Sequence, residues 1–295
     1  MPKKFSLLSK SVIATLALQT SVAFAHNRPD VVYGEDSRKD LYQLFQNESL
    51  YKTLAASTAL LTTNTKLSDS QFPGLKELET QTLQEKMNVC SQEPFAKQAV
   101  GGWCSGFLVA PDTLVTAGHC ITSEYRCSQT AIIFDYAMKR NNSNPQFVPE
   151  QNIFQCKEIL SRRYDPPRGL DYAVIKLDRR VSNRQPLRIR TQGTISDSTK
   201  LTIIGHPSGL PTKVAKGAWI RENTASEYFV TNTDSYGGNS GSAVVNQNGE
   251  VEGILVRGET DYEYQGSCLV SKKCAEDACR GEDVTRSTNF AQFIK

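Results

Sequence analysis

After Gly101 the chain alternates short apolar runs with turn residues. The runs SGFLVA (105–110), AIIFDYAM (131–138), YAVIKL (172–177), LTIIG (201–205) and EYFVTN (227–232) are each of strand length. Such spacing predicts an all-β sandwich or barrel. A further pair, AVV (243–245) and VEGILV (251–256), flanks Asn248-Gly249, a dipeptide that favours the positive backbone angles of a tight hairpin. The polar stretch 182–185 suits a crossover between two halves. No strand, glycine-rich loop and helix follow one another in the order a nucleotide-binding fold requires, and no internal repeat is present.

The segment 26–98 reads differently. Leu41, Leu44 and Phe45 recur at helical spacing, as do Leu75 and Leu78, and the Ser/Thr/Asn-rich stretch 57–70 between them reads as a loop. This predicts a partly helical N-terminal extension, either a removable propeptide or a belt packed on the rest. Before it, Lys3 and Lys4 precede an apolar stretch (11–22) and the small-residue pattern Ala23-Phe24-Ala25. That is the pattern of a secretory signal peptide over 1–25, and the apolar stretch is shorter than the roughly 20 residues that span a bilayer. No membrane anchor is expected, and the protein should be secreted or periplasmic.

Composition adds two constraints. A net charge of +3, evenly spread, lacks the clustered basic face of a nucleic-acid-binding protein. Export places the eight cysteines in an oxidising compartment, where they read as disulfides rather than metal ligands. No Cys-x-x-Cys pair occurs and the chain has three histidines, so neither metal nor cofactor is expected.

Three segments carry chemistry together: TAGHC (116–120), LDYAVIKL (170–177) and GGNSGS (237–242). Singly, His119 reads as an interior histidine, Asp171 as a strand-end cap and Ser240 as a turn residue. Jointly they supply what a serine nucleophile needs. Its hydroxyl requires a base, a neutral imidazole is suited to that task, and a carboxylate holds the imidazole's tautomer and orientation. The glycines have a separate role, because the tetrahedral intermediate's oxyanion must meet backbone N–H groups unobstructed by side chains. Gly238 and Ser240 are placed to donate them.

These three segments resemble the active-site signatures of the trypsin/chymotrypsin superfamily, in the same chain order. Asn239 before the serine, Ser242 after its glycine and VVYGEDSR (31–38) resemble the bacterial glutamyl-endopeptidase branch. The resemblance implies two antiparallel six-stranded β-barrels, about 99–180 and 186–295, within a protease domain over 99–295. It assigns His119 as general base, Asp171 as its orienting partner, Ser240 as nucleophile, and Gly238 and Ser240 as the oxyanion hole. It also implies a Cys104–Cys120 disulfide bracketing the histidine, and Cys127 is paired with Cys156. Cys90, Cys268, Cys274 and Cys279 are left open.

By the same resemblance, Asp234, six residues before the serine, lies at the base of the primary specificity pocket, with Ser235, Leu255, Arg257 and Gly258 also lining the substrate site. A carboxylate at that base predicts cleavage after Arg or Lys. Leu255 stands where the glutamyl branch has a histidine, which weakens a preference for Glu, while Arg257 is placed to pair with Asp234 or to receive an acidic substrate. Asn239 lacks the charge to pair with a newly exposed N-terminal amine. The expected partners are protein or peptide substrates, and the protein itself is expected to be a monomer. The rival functions are a catalytically inactive binding module of the same fold and an esterase, whose nucleophile elbow would need a final glycine where Ser242 stands.

Overall fold

The computed structural model describes residues 31–294 together with Met1; the rest of the segment read as a signal peptide, 2–25, lies outside the described residues. A short strand, β1 (Arg38–Asp40), leads through two 3₁₀ turns into helix α1 (Ser49–Ala56). The first barrel follows, from β2 (Thr58–Thr63), β3 (Cys104–Ala110), β4 (Thr113–Thr116), β5 (Thr130–Phe134), β6 (Ile153–Asp165) and β7 (Leu170–Leu177). These six strands close in the order β5-β6-β7-β4-β3-β2, every pairing antiparallel.

The second barrel is built from β8 (Lys200–Gly205), β9 (Lys213–Glu222), β10 (Tyr228–Thr231), β11 (Ala243–Asn246), β12 (Val251–Arg257) and β13 (Glu282–Arg286). Its order is β8-β11-β12-β13-β10-β9, closed by the β8–β9 pairing, and β1 adds to β9 from outside. The molecule therefore has the two six-stranded antiparallel barrels of the chymotrypsin-like fold. The predicted Asn248-Gly249 turn joins β11 to β12 with Gly249 at φ +73°.

The expected loop at 57–70 is corrected by β2. Leu60 and Leu61 are fully buried, and β2 sits between β3 and β5. The run TALLTT reads as polar because its threonines meet partners inside the barrel; Thr62 Oγ1, for example, donates to the Gly101 carbonyl at 2.7 Å. Residues 75–78, which share helical spacing, instead form a strand against Phe147–Pro149. The first barrel consequently draws one of its six strands from the segment read as an extension. Removing the chain through residue 98 would open the barrel.

Four disulfides join the eight cysteines. Cys104–Cys120 and Cys127–Cys156 pair as the sequence implied, and the open four resolve as Cys90–Cys268 and Cys274–Cys279. Among the described residues no helix is long and apolar enough to cross a membrane.

Candidate active site

His119 stands on the turn that follows β4, and Asp171 is the second residue of β7, which runs beside β4. Gly118 permits their approach, since a Cβ there would lie 2.2 Å from the Arg163 carbonyl and 2.8 Å from that of Tyr172. The Asp171 carboxylate, with its side chain 1% exposed, accepts the His119 backbone N–H through Oδ1 at 3.0 Å and faces ring Nδ1 through Oδ2 at 2.7 Å. Two contacts on one carboxylate fix both the position and the rotation of the imidazole, leaving Nε2 for work on its other side. A third of the histidine side chain remains exposed.

The loop 237–242 brings Ser240 against this turn from the second barrel. The Ser240 carbonyl accepts from Ser105 N at 2.9 Å and lies 3.7 Å from Cys120 Sγ. Gly241, at φ +87°, packs so closely that a Cβ would meet the Ser105 carbonyl at 2.2 Å and Ala117 N at 2.9 Å. On its other flank Gly241 N donates to the Leu255 carbonyl at 2.8 Å, and Leu255 N returns a bond to Ser242 O at 3.1 Å. Asn239 is buried and accepts from Ser242 Oγ at 3.0 Å, which stiffens the loop rather than serving a charge.

The backbone around Gly238 is held from both sides. Gly237 O accepts from Ser208 N at 2.6 Å, and a trans peptide then turns the Gly238 N–H the opposite way. Among the described residues the Gly238 and Ser240 N–H groups donate to no acceptor. At φ +103° Gly238 has no room for a side chain, whose Cβ would meet Gly209 N and His206 O at 2.8 Å. Ser105 binds the same loop from the first barrel: its Oγ donates to Gly238 O at 2.8 Å and accepts from His206 N at 2.9 Å. Ser105 was not singled out from the sequence, where nothing marks a strand serine 135 residues before the nucleophile.

The substrate-pocket expectations need correction. Asp234 is buried, but its Oδ1 accepts from Tyr33 N at 2.7 Å and its Oδ2 from Ser37 N at 2.8 Å and Ser37 Oγ at 2.5 Å. Burial pushes its pKa up, against the pull of these donors. This carboxylate ties the segment before β1 to the second barrel instead of facing a substrate cation. Leu255 is core as well, packed with Phe229 and Val284, and serves the site only through its backbone. Arg257 pairs with Asp283, at 2.9 Å, and not with Asp234. Ser235 is fully buried and its hydroxyl finds no partner among the described residues. Gly258 lines a cavity beside Arg257.

Cys104, Cys120 and His119 bring two sulfurs and a ring nitrogen together. The sulfurs are joined as a disulfide, so they offer no thiolate to a metal. His206 is fully buried, with Nδ1 3.0 Å from the Leu210 carbonyl, and burial pushes its pKa down to about 3. It is a neutral structural residue behind the loop.

Residues 104–254 match the trypsin-like peptidase domain family. The chain is 30% identical over 163 residues to the glutamyl endopeptidase of Bacillus licheniformis, an alignment covering 50% of this chain and 46% of that protein. The match thus spans less than half of the relative's length. A solved structure of a Glu endopeptidase in complex with MPD superposes with a TM-score of 0.52 at 19% identity, over 90% of this chain and 97% of that one, which shows the shared fold.

Proposed function

This chain belongs to the trypsin-like peptidase family, and from that premise we propose that it is a serine endopeptidase working through an acyl-enzyme. Ser240 attacks the scissile carbonyl, His119 takes its proton and later returns it to the leaving amine, and Asp171 stabilises the imidazolium. The N–H groups of Gly238 and Ser240 receive the oxyanion. The observation that carries this reading is the doubly anchored His119–Asp171 pair beside a serine loop with two unengaged N–H donors. The test is covalent labelling by a fluorophosphonate together with hydrolysis of a peptide library. Labelling of the folded protein, absent in Ser240→Ala, is expected. An unlabelled protein would make it a binding module of the same fold.

For the residue on the acyl side, the first reading remains Arg or Lys, now on a different carboxylate. Glu282 opens β13 fully buried, on the strand face it shares with Val284 and hence near Leu255, and accepts the Tyr33 hydroxyl at 3.2 Å and the Glu259 N–H at 3.3 Å. A second reading, cleavage after Glu, is favoured by the relative named a glutamyl endopeptidase. A panel of fluorogenic peptides varied at that one position separates the two. The four disulfides support an exported protein acting on protein or peptide substrates.

A further inference from the structure

Beside the triad a cavity of about 510 Å³ opens between the barrels, lined by Pro166, Gly169, Tyr228, Arg257, Arg280 and Asp283. Its place is defined by two strands of the active site. Gly169 lies two residues before Asp171, and Arg257 lies two residues beyond Leu255, whose carbonyl holds Gly241. At about 3.3 Å per residue along a strand, Arg257 stands roughly 7 Å from that anchor. An extended peptide whose scissile carbonyl rests on Ser240 therefore reaches the cavity with a residue two to four positions from the cleaved bond.

Among the residues that line this cavity, two cations meet one carboxylate. Arg257 Nε donates to Asp283 Oδ2 at 2.9 Å, and Arg280 Nη2 donates to the same carboxylate through Oδ1 at 2.5 Å. One buried carboxylate, 1% exposed, thus answers two guanidiniums. Around this lining, Glu259 lies 3.8 Å from Lys272 while accepting the Arg280 backbone N–H, Asp165 lies 3.8 Å from Arg168 on the rim, and the buried Glu282 accepts the Tyr33 hydroxyl at 3.2 Å and the Glu259 N–H at 3.3 Å. Arg257 is itself nine-tenths buried and engages two of its N–H donors, with Asp283 and the Pro166 carbonyl at 3.3 Å. A guanidinium carries five donors, and among the described residues these two are the ones that Arg257 engages.

We infer that this cavity is a second recognition site on the substrate, taking a carboxylate side chain, Glu or Asp, two to four residues from the scissile bond. It is separate from the pocket for the acyl-side residue, and it rests on the endopeptidase reading for the way a peptide lies. Arg280, half exposed, swings to form the new ion pair, while Asp283 keeps Arg257 in place.

The experiment compares matched peptides that carry Glu or Gln at each of those positions. A kcat/KM ratio of about tenfold in favour of Glu is expected at one of them, reduced towards one in Arg280→Gln and partly kept in Arg280→Lys. Because the ratio is taken within each variant, an inactive fraction cancels. Anisotropy of the same labelled peptides on Ser240→Ala gives the comparison without turnover, so failed hydrolysis would overturn the endopeptidase reading while the cavity's preference for Glu over Gln is still measured. Equal values for Glu and Gln at every position, or a preference that survives Arg280→Gln, would overturn the inference.

Discussion

At the scale of single residues, the site depends on side chains that do no chemistry. Ser105 belongs to the first barrel, yet it binds the Gly238 carbonyl and the His206 N–H through one hydroxyl. In Ser105→Ala both buried groups lose their partner, a loss that ordinarily costs about 1–3 kcal/mol for each group left unsatisfied. Part of that cost falls on the oxyanion hole, whose donors must be held before the transition state forms. We expect kcat to fall about tenfold with KM little changed, measured on a single peptide substrate. His119, Asp171 and Ser240 were legible in the sequence because each sits in a short motif whose neighbours serve the same task. Asp234 misled because its meaning depends on Tyr33 and Ser37, 201 and 197 residues away. No local signal announces such partners.

Among elements, the same contrast separates the strands that were read correctly from β2. The runs at 105–110 and 172–177 are apolar enough to stand out between turns. In β2, by contrast, threonines flank Ala59, Leu60 and Leu61 on both sides, and only the barrel's closure shows that the run is buried. The disulfides divide likewise. Cys104 and Cys120 lie close in the chain and flank a motif, whereas Cys90 and Cys268 are 178 residues apart. The latter bond ties the segment after the Leu83–Met87 helix to the hairpin Tyr262–Gln265 and Cys268–Ser271, next to Asp261, which accepts the Gly237 N–H at 2.9 Å. Cys90→Ser paired with Cys268→Ser should lower stability by about 2–5 kcal/mol, read as a reduced urea midpoint.

For the whole molecule, the packing of the barrels around His206 predicts a specific acid weakness. Its folded pKa of about 3 lies below the ordinary value of 6.5, so the unfolded chain binds the proton more readily between those limits. The stability is therefore complete above pH 6.5 and declines as pH falls, by up to about 1.4 kcal/mol per unit. Carboxylates held low by their partners, such as Asp36 beside Arg38, act further down the scale. Urea midpoints between pH 6.5 and 5 should fall more steeply for the native protein than for His206→Asn; parallel slopes would refute the assignment.

The clasp between Asp234 and the stretch from Tyr33 to Ser37 has a consequence for proteolytic nicking. A single cut in the 3₁₀ turns that follow β1 would spare both barrels and every member of the triad, yet it would free the leash that holds Asp234, six residues before Ser240. Such a clipped molecule should still react with a small acylating probe while discriminating less sharply between peptides, so that selectivity would be lost before reactivity.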